Sequence, residues 1–518
     1  VSLVLGGAIY ALAYFARATP ATTVVAGGAL LAGAGNGIFT GGEPLSGQGR
    51  LTAGDFSEIF QQNWQTFFHW SNVDRAYLAI WDGLHELSRG FGVAISWFER
   101  LAVMSIVLLS VLLLVGVRWF VPAVASTETL ATPRISPLII AACAGAAAAL
   151  ILAAAAQGAW RRLVPLMMLA SAAAIAGLVV EGPWLRLGLL ELAALLTIPL
   201  VWQNARTRSA KWLYVTIVAL SGLALVAGDL LSERGETGWT HALLLTSICV
   251  KLAAFPLIFW LLRLADEIPS LVFGLIIAVI DIAAFGELYV AAQASPGLLS
   301  PQGLWLGIGA ATSLLAALLM LSQRNLKRLL VLSTIEDVGF LFLGLASASA
   351  LGTSGMLIAA ATHALAKALL FICLSGPEAD GALAAEHRGL ASNYPVSAFG
   401  FLFGMLAMLG VPPTLGYIGR WRLYESALRI NPVLLYCFLL SSVFALIAYV
   451  LALTRVWWGP AADTDLQFEK PFTPHPSMQV SAAEEPFVLR AVIVALVALL
   501  LMGGFWPDAL QALSGGRL

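Results

Sequence analysis

Long apolar runs separated by short polar segments dominate the chain from residue 138 onwards. Most of the runs are about 17 to 25 residues long, the length that a helix needs to cross about 30 Å of hydrocarbon. They are apolar on all faces, whereas a transmembrane β-barrel would show segments of about ten alternating residues. The pattern predicts an all-α polytopic membrane protein, because a helix satisfies its own backbone polar groups in lipid.

The predicted membrane segments of this part of the chain are residues 138–156, 163–180, 186–203, 213–231, 241–263, 271–294, 304–322, 328–346, 355–375, 396–425, 433–455 and 487–506. The segment 396–425 is too long for one straight helix and contains Gly410, Pro412 and Pro413. We therefore predict a discontinuous helix there. Broken helices at membrane depth border protein or water, and they often mark an ion path.

The first 137 residues follow a different pattern. Residues 1–17, 21–39 and 101–120 are apolar enough to span, which gives about 14–15 transmembrane helices in total. The first run has no basic region before it and is interpreted as a retained helix. Residues 40–100 mix charges with aromatic residues such as Trp81, which suits either helices at the membrane surface or an extramembrane segment packed on a partner.

Composition narrows the functional classes. With 60% hydrophobic and 11% charged residues, the chain is not an ordinary soluble globule. A net charge of -1 provides no general basic surface, so nucleic acid is not an expected partner. The cysteines stand singly in apolar runs and are interpreted as buried thiols. No cofactor-binding motif is present, so we expect any electron carrier to lie on partner subunits.

Basic residues fall in alternate loops. They are Arg161, Arg162, Arg206, Arg208, Lys211, Arg263, Arg324, Lys327 and Arg328. The intervening loops at 295–303 and 347–354 contain no lysine or arginine. The positive-inside rule makes the basic loops cytoplasmic and puts the C-terminus on the other side of the membrane.

Ionisable residues recur within successive apolar runs. The candidates for a proton pathway are Glu191, Lys251, Asp281, His363, Lys367 and Arg420. A charge at the centre of a membrane helix costs about 2.5–3.5 kcal/mol, so these groups are expected to face one another or internal water. Glu191 is expected to pair with Lys251, either as a proton switch or as a static interhelical pair. Spacing by four residues puts His363 and Lys367 on one helix face, from which a proton can pass toward Arg420.

Further ionisable residues are interpreted as peripheral. Glu336 and Asp337 are placed near a helix end. At that position the sequence fits a solvated or capping role as well as a conducting one. Glu287 is placed near an exit surface, and Arg422 with Glu425 is interpreted as an ordinary pair at a helix terminus. The outlying candidates for the pathway are Lys327, Glu336, Arg422 and Glu425.

Several motifs resemble one family. They are KLAAFPLIFWL, NLKRLLVLSTIEDVGFLFLGLA, THALAKALLFICL, HRGLASNYP and GVPPTLGYIGRW. In order and spacing they are similar to the antiporter-like subunits shared by respiratory complex I, Mrp cation/proton antiporters and energy-converting membrane hydrogenases. The STIEDVG form looks closest to the hydrogenase-linked branch. The resemblance covers about 138–506.

The resemblance implies a domain organisation. An antiporter-like core at 138–455 would contain two inverted five-helix repeats, about 163–294 and 304–425, each with a broken helix. Residues 456–518 would form a cytoplasmic loop and a C-terminal helix, and residues 1–137 would be either a diverged helix pair or a fused module.

The resemblance also implies roles for single residues. Glu191 matches the acid of the first repeat, and Lys251 matches the lysine of the first broken helix. Lys367, preceded by His363, matches the central lysine. Arg420 falls where the second broken helix usually bears lysine or glutamate.

Two positions depart from the family pattern. Asp281 is in the helix that usually carries a histidine, and Arg420 is a group that does not release its proton. These departures leave a non-conducting, structural subunit as an alternative.

The expected function is a proton-translocating membrane subunit of a multi-subunit complex, with sodium coupling left open. Expected partners are other integral membrane subunits, lipid, and a peripheral redox or zinc-containing module, and the expected location is a prokaryotic cytoplasmic membrane. One alternative is a membrane scaffold for a soluble partner, as in inorganic-carbon uptake systems. Another is a stand-alone cation/proton antiporter.

Overall fold

The computed structural model describes residues 78, 80–90, 135–180, 182–232, 237–295, 297–383, 389–459 and 485–505. The chain divides into two compact units, residues 1–87 and 88–518. The predicted spans 1–17, 21–39 and 101–120 lie outside the described residues, as do most of the aromatic segment 40–100 and of the polar loop 456–486. All the site residues discussed below belong to the second unit.

Helices account for every regular element among the described residues from 135 onwards. The α-helices are α1 (Pro137–Ala156), α2 (Val164–Val179), α3 (Pro183–Asn204), α4 (Arg208–Ser232), α5 (Thr237–Lys251), α6 (Phe259–Ala265), α7 (Ser270–Leu275), α8 (Ile282–Ala294), α9 (Gln302–Met320), α10 (Leu326–Ala346), α11 (Ala350–Ala379), α12 (Pro395–Met408), α13 (Leu415–Ile430), α14 (Pro432–Ala452) and α15 (Phe487–Phe505). Within the described part, ten helical segments are long and apolar enough to cross a membrane. The predicted all-α polytopic membrane fold is confirmed.

Two π-helical segments extend these helices. The segment Ile276–Asp281 joins α7 to α8 into one span, Ser270–Ala294, and Leu453–Trp457 continues α14. A π-helical turn inserts an extra residue into the helix and is often found at functional sites. The first of these segments ends on Asp281, one of the candidate residues.

Two consecutive sets of five membrane segments repeat one order. The first set is α2, α3, α4, the broken α5–α6, and α7–α8, and the second is α9, α10, α11, the broken α12–α13, and α14. The fourth member is discontinuous in both sets. Five crossings in each set would place the two sets in inverted orientation, and the inverted repeats at about 163–294 and 304–425 stay a prediction.

The first break follows Lys251, the last residue of α5. Pro256 has no backbone N–H, and its ring disfavours a helical conformation at Phe255. The backbone N–H of Phe255 instead donates to the Thr312 hydroxyl on α9, at 3.1 Å. The break therefore has its own hydrogen bond to the second repeat, and Lys251 lies at a helix end inside the protein.

The second break separates α12 from α13. Gly410 has a φ of 67°, a conformation that glycine adopts at little cost. A Cβ at this position would lie 2.8 Å from Cγ of Arg420. Pro412 and Pro413 then prevent the helix from continuing. The break predicted at these residues is confirmed, and it brings the backbone against the Arg420 side chain.

Three spans form the centre of the bundle and are buried throughout their apolar length: Ser270–Ala294, Leu326–Ala346 and Ala350–Ala379. The helices around them expose large apolar side chains, such as Leu223 and Tyr436. Apolar atoms on the outer helices suit contact with lipid or neighbouring membrane helices. The central spans are the ones that carry Asp281, the acids of α10 and the two basic residues of α11.

An ion pair joins the central spans at one end. Lys327 Nζ lies 2.8 Å from the Glu378 carboxylate and donates to the Ile268 carbonyl at 3.0 Å. The other Glu378 oxygen accepts the backbone N–H of Ser270, at 2.6 Å. A carboxylate there satisfies one of the unpaired donors at the start of α7. Lys327, an outlying pathway candidate, therefore lies at a helix end and holds α7, α10 and α11 together.

Tyr394, just before α12, donates a hydrogen bond to the Asp380 carboxylate at 2.5 Å. Burial and this neighbouring carboxylate raise the pKa of Tyr394. The phenol therefore remains neutral at physiological pH and acts as a donor that ties the start of α12 to the end of α11.

Glu485 caps α12 from a distant part of the sequence. Its carboxylate accepts the backbone N–H groups of Val396 and Ser397, at 3.1 and 2.9 Å, and the Ser397 hydroxyl at 2.5 Å. Glu485 and Ser397 are buried, so the Ser397 donors would lack a water acceptor if the carboxylate were removed. The cap fixes the start of the broken helix to the chain that leads into α15.

Replacing Glu485 with alanine should destabilise the protein by about 1–3 kcal/mol, because two backbone donors lose their acceptor. The measurement is the thermal unfolding midpoint of the full chain in mild detergent. Glu425→Ala is the matched control, since Glu425 pairs with the exposed Arg429 and should change the midpoint little. Equal midpoints for the two variants would contradict the capping role.

Candidate functional site

The acid of α3 and the lysine at the end of α5 form an ion pair. Lys251 Nζ donates to a Glu191 carboxylate oxygen. The side chains are 13% and 15% exposed, so both keep some accessible surface within the bundle. Gly222 on α4 leaves room for the carboxylate, because a Cβ there would lie 3.0 Å from Glu191 Oε2. The predicted Glu191–Lys251 pair is confirmed.

Asp281 lies in the central span Ser270–Ala294, at the end of its π-helical segment. It is 6% exposed, and no described residue forms a hydrogen bond or ion pair with it. Its electrostatic partner is Lys251, whose charge acts on the Asp281 carboxylate. A second carboxylate therefore lies within the field of the lysine that already pairs with Glu191.

A further ion pair lies beside these residues and was missed by the sequence reasoning. Arg186 Nε donates to Glu287 Oε2 at 2.6 Å, and its Nη2 lies 3.4 Å from Oε1. Both residues are buried. The interpretation of Glu287 as a residue near an exit surface is wrong, because this pair joins α3 to α8 inside the protein. Arg186 stands five residues before Glu191 in an apolar run, which was the available signal.

Arg420 on α13 is held by two acids of α10. Its two terminal nitrogens lie 2.8 Å from the two carboxylate oxygens of Glu336, and one of them lies 3.0 Å from Asp337 Oδ1. The guanidinium also stacks on Phe340, 3.8 Å from the ring centroid. A planar fork that meets a carboxylate through two bonds is a geometrically specific contact. Arg420 is a fixed cation in this arrangement.

The interpretation of Glu336 and Asp337 as residues near a helix end is wrong. Helix α10 runs from Leu326 to Ala346, so both acids lie at its middle, and both are buried. The predicted span 328–346 already contained both acids near its centre, so the helix-end interpretation did not follow from that span. Their charges are instead compensated within the bundle by Arg420.

The basic residues of α11 approach α10 at two levels. His363 Nδ1 lies 2.7 Å from Asp337 Oδ2. Lys367 Nζ donates to the Leu330 carbonyl at 2.9 Å and to the Ser333 hydroxyl, and neither of these acceptors is a carboxylate. His363 and Lys367 therefore face the same helix, as their spacing by four residues predicts.

A hydrogen-bonded chain continues from Lys367. The Tyr449 hydroxyl on α14 donates to Ser333 Oγ at 2.7 Å, and Ser333 donates to the Leu330 carbonyl at 2.9 Å. Tyr449 and Ser333 are buried. These residues were not predicted, since a serine or tyrosine in an apolar helix gives no sequence signal of its partner.

The ionisable residues thus form two clusters of different accessibility. The first cluster consists of Glu191, Lys251, Asp281, Arg186 and Glu287, and the second of Glu336, Asp337, His363, Lys367 and Arg420. Members of the first keep 6% to 15% of their surface exposed. In the second, Lys367 and His363 are 0% and 1% exposed. The second cluster is sealed by protein, so its charges are balanced mainly by one another.

The remaining outlying candidates lie apart from both clusters. Glu425 forms an ion pair with the exposed Arg429, at 2.6 Å, and its charge also acts on Arg422. The spacing of Glu425 and Arg429 is i to i+4, which favours contact on a helix. Within the described residues, no group of three or more His, Cys, Asp or Glu side chains is arranged to hold a metal ion.

Sequence comparison agrees with this geometry. Residues 212–445, which contain both helix breaks and most of the two clusters, match the family model "NADH:quinone oxidoreductase/Mrp antiporter, TM". Over these residues, from α4 to α14, the chain is similar to the antiporter-like membrane subunits that this model describes.

Curated relatives of this chain include two kinds of protein. NADH-quinone oxidoreductase subunit N of Desulforudis audaxviator is 28% identical over 233 residues, which are 43% of this chain and 46% of that protein. The hydrogenase-4 component F homolog of Methylacidiphilum infernorum is 27% identical over 310 residues, which are 53% of this chain and 65% of that protein. The chain thus spans about half to two thirds of the length of these relatives.

A solved structure shares the fold. The Mrp complex from Dietzia sp. DQ12-45-1b contains a chain that aligns with a TM-score of 0.62 and 19% identity, covering 85% of this protein and 96% of that chain. At this identity the likeness concerns the fold. It supports the arrangement of discontinuous helices on which both clusters depend.

Removing the fixed cation should strongly destabilise the second cluster. Arg420→Met removes the cation that both buried carboxylates contact, which is expected to cost about 3–5 kcal/mol. Adding Glu336→Gln removes one of these charges and should recover part of the loss. The measurement is the thermal unfolding midpoint of the full chain in detergent, with Arg429→Met in the exposed pair as control. A larger loss in the double variant than in Arg420→Met would contradict this account.

Proposed function

We propose that this chain is the proton-translocating membrane subunit of a multi-subunit complex. The observation that carries the proposal is the pair formed by Glu191 and Lys251 at the first helix break, with the unpaired Asp281 carboxylate in the field of the same lysine. A lysine ammonium that pairs with one acid while a second carboxyl group lies in its field can change partner, and the group it leaves becomes a better proton acceptor. Static ion pairing alone would need only one of the two acids.

The two clusters are connected through the packing of the α7–α8 span against α11. Ser270 meets Glu378, and a Cβ on Gly274 would lie 3.0 Å from Cβ of Phe371, so these two elements run antiparallel. Counting seven residues from Gly274 and from Phe371 puts Asp281 about level with residue 364 at a rise of about 1.5 Å per residue. His363 is one position from that level. A proton that leaves Asp281 therefore has a basic residue at similar depth on the next helix.

The assembly is part of the proposal. The subunit would work beside other integral membrane subunits in the cytoplasmic membrane, with its C-terminus on the non-cytoplasmic side, as the alternation of basic loops indicates. Its relatives bear the names of an NADH-quinone oxidoreductase subunit and a hydrogenase component. These names support a role in which a peripheral redox module supplies energy, and we propose sodium as a second candidate ion.

One observation favours a second function, a non-conducting scaffold. The cation of the second broken helix is an arginine bound by two acids, and a guanidinium does not release its proton. A route that required proton release at residue 420 would be closed. The scaffold proposal predicts that the assembled complex binds its partners yet conducts no protons.

Lys251→Ala should abolish proton movement, because the switch loses its cation. The purified complex is reconstituted into liposomes, a potassium diffusion potential is applied with valinomycin, and proton uptake is followed with a pH-sensitive dye. We expect the rate to fall about tenfold or more, a rise of about 1.4 kcal/mol or more in the barrier.

Lys211→Ala is the matched control, since Lys211 on α4 lies over the Trp202 ring of α3 and belongs to neither cluster. Its uptake should equal that of the unchanged complex. Equal uptake by Lys251→Ala would overturn the proposal, and an unchanged complex no faster than protein-free liposomes would favour the scaffold. Uptake that follows a sodium gradient instead of the potential would indicate sodium coupling.

A further inference from the structure

The charges of the second cluster do not sum to zero when all five of its ionisable groups are charged. Arg420 contributes one positive charge, and Glu336 and Asp337, both bonded to it, contribute two negative charges. These three fixed groups therefore sum to one negative charge. His363 and Lys367 are the other members of the cluster, and each is basic and nearly completely buried.

Electroneutrality limits what the two basic residues can do. An uncompensated charge in a sealed, low-dielectric site is strongly disfavoured, so the fixed negative charge requires one positive charge nearby. One protonated base supplies it. Protonation of both bases would leave an excess positive charge, and protonation of neither would leave an excess negative charge.

The contacts of the two bases fit alternative occupation. His363 directs Nδ1 to Asp337 Oδ2, at 2.7 Å, which leaves Nε2 as the nitrogen that gains or loses the proton. Lys367 Nζ has two protein acceptors, the Leu330 carbonyl and the Ser333 hydroxyl. A neutral amine has two N–H groups and fills these contacts, while an ammonium has three. Both protonation states of each base are therefore compatible with the observed partners.

We infer that His363 and Lys367 together hold one exchangeable proton. The fixed charges of Arg420, Glu336 and Asp337 limit the pair to this number. In this arrangement the acids of α10 are counter-ions rather than carriers. Arg420 would interrupt a chain of proton carriers, but its fixed charge instead sets the number of protons that the site holds. Only the role of this shared proton in transport rests on the proposed function.

The transfer step is balanced within the pair. A proton leaves Nε2 of the His363 imidazolium, the lone pair of neutral Lys367 Nζ accepts it, and a neutral imidazole and an ammonium result. The spacing by four residues on α11 puts both groups on one face. The sum of charges in the cluster is the same before and after the step, so no uncompensated charge forms.

The other titratable groups near the pair are phenols. Tyr449 on α14 donates to Ser333, and Tyr424 on α13 lies 2.6 Å from the Ser442 hydroxyl. Tyr449 is buried and Tyr424 is half-buried, and neither carries charge in its protonated form. The two phenols therefore do not change the charge sum of the five charged or basic residues of the cluster.

The test reads the charge of one histidine directly. The full complex is prepared with ¹⁵N-labelled histidine, and solid-state NMR distinguishes neutral imidazole from imidazolium. The chain has six histidines, so the spectrum of His363→Gln is subtracted to isolate the signal of His363. Lys367→Met removes the other proton position with an unbranched side chain of similar length. We expect His363 to be fully cationic in this variant throughout pH 6–8.

A double variant tests the cause. Asp337→Asn added to Lys367→Met leaves Arg420 and Glu336 as a neutral pair, so His363 should lose its positive charge completely. Tyr449→Phe added to Lys367→Met is the matched control, because it removes a hydrogen bond near the site without changing any charge. His363 should stay cationic in this control.

Two results would overturn the inference: a neutral His363 in Lys367→Met, or a cationic His363 in the Lys367→Met/Asp337→Asn variant. Lys367→Gln repeats the measurement with a polar replacement, so that misfolding of one variant does not decide the outcome. The charge of His363 is measured without transport. A complex that fails to conduct but follows the predicted charges would therefore overturn the proposed function and leave the shared proton standing.

Discussion

The electrostatic cost of an ionised side chain in a low-dielectric interior governs this protein. Each buried charge requires a compensating group from another helix at the same depth. These pairs determine which helices pack together in the bundle. Arg186 joins α3 to α8 through Glu287, and Arg420 joins α13 to the acids of α10. The exception is Asp281, which no described residue bonds.

The contrast between the two clusters has a functional meaning. Around Lys251, accessible surface and an extra carboxylate provide alternatives for the lysine. Around Arg420, every acid has a partner and the site is closed, so rearrangement is expensive unless the charge sum is conserved. The first cluster suits a change of partner, and the second suits exchange of a proton at constant charge.

Much of this arrangement could be predicted from local pattern. The length and apolarity of the runs predicted the spans, Pro412 and Pro413 predicted the second break, and the positions of Glu191 and Lys251 in apolar surroundings predicted a pair. These features depend on residues close together in sequence or on a physical cost that applies to any membrane helix. That is why they were visible without coordinates.

The features that could not be predicted depend on contacts between distant residues. Glu336 and Asp337 were interpreted as peripheral because the cation that compensates them is remote in sequence: Arg420 is 83 residues from Asp337. Glu485 caps a helix that begins 90 residues earlier, at Pro395, and nothing in its local sequence reveals this. Tertiary partners of single polar residues are not encoded in hydrophobic periodicity.

The hydrogen bond from the backbone N–H of Ser270 to Glu378 connects α7 to α11. Glu378 lies near the end of the helix that carries His363 and Lys367, and it binds the first residue of the segment that leads to Asp281. An axial displacement of α11 would therefore act on α7 through this contact. The π-helical segment Ile276–Asp281 lies between that contact and α8. The two parts of the protein are thus joined by a direct contact between helices, in addition to any exchange of charge between them.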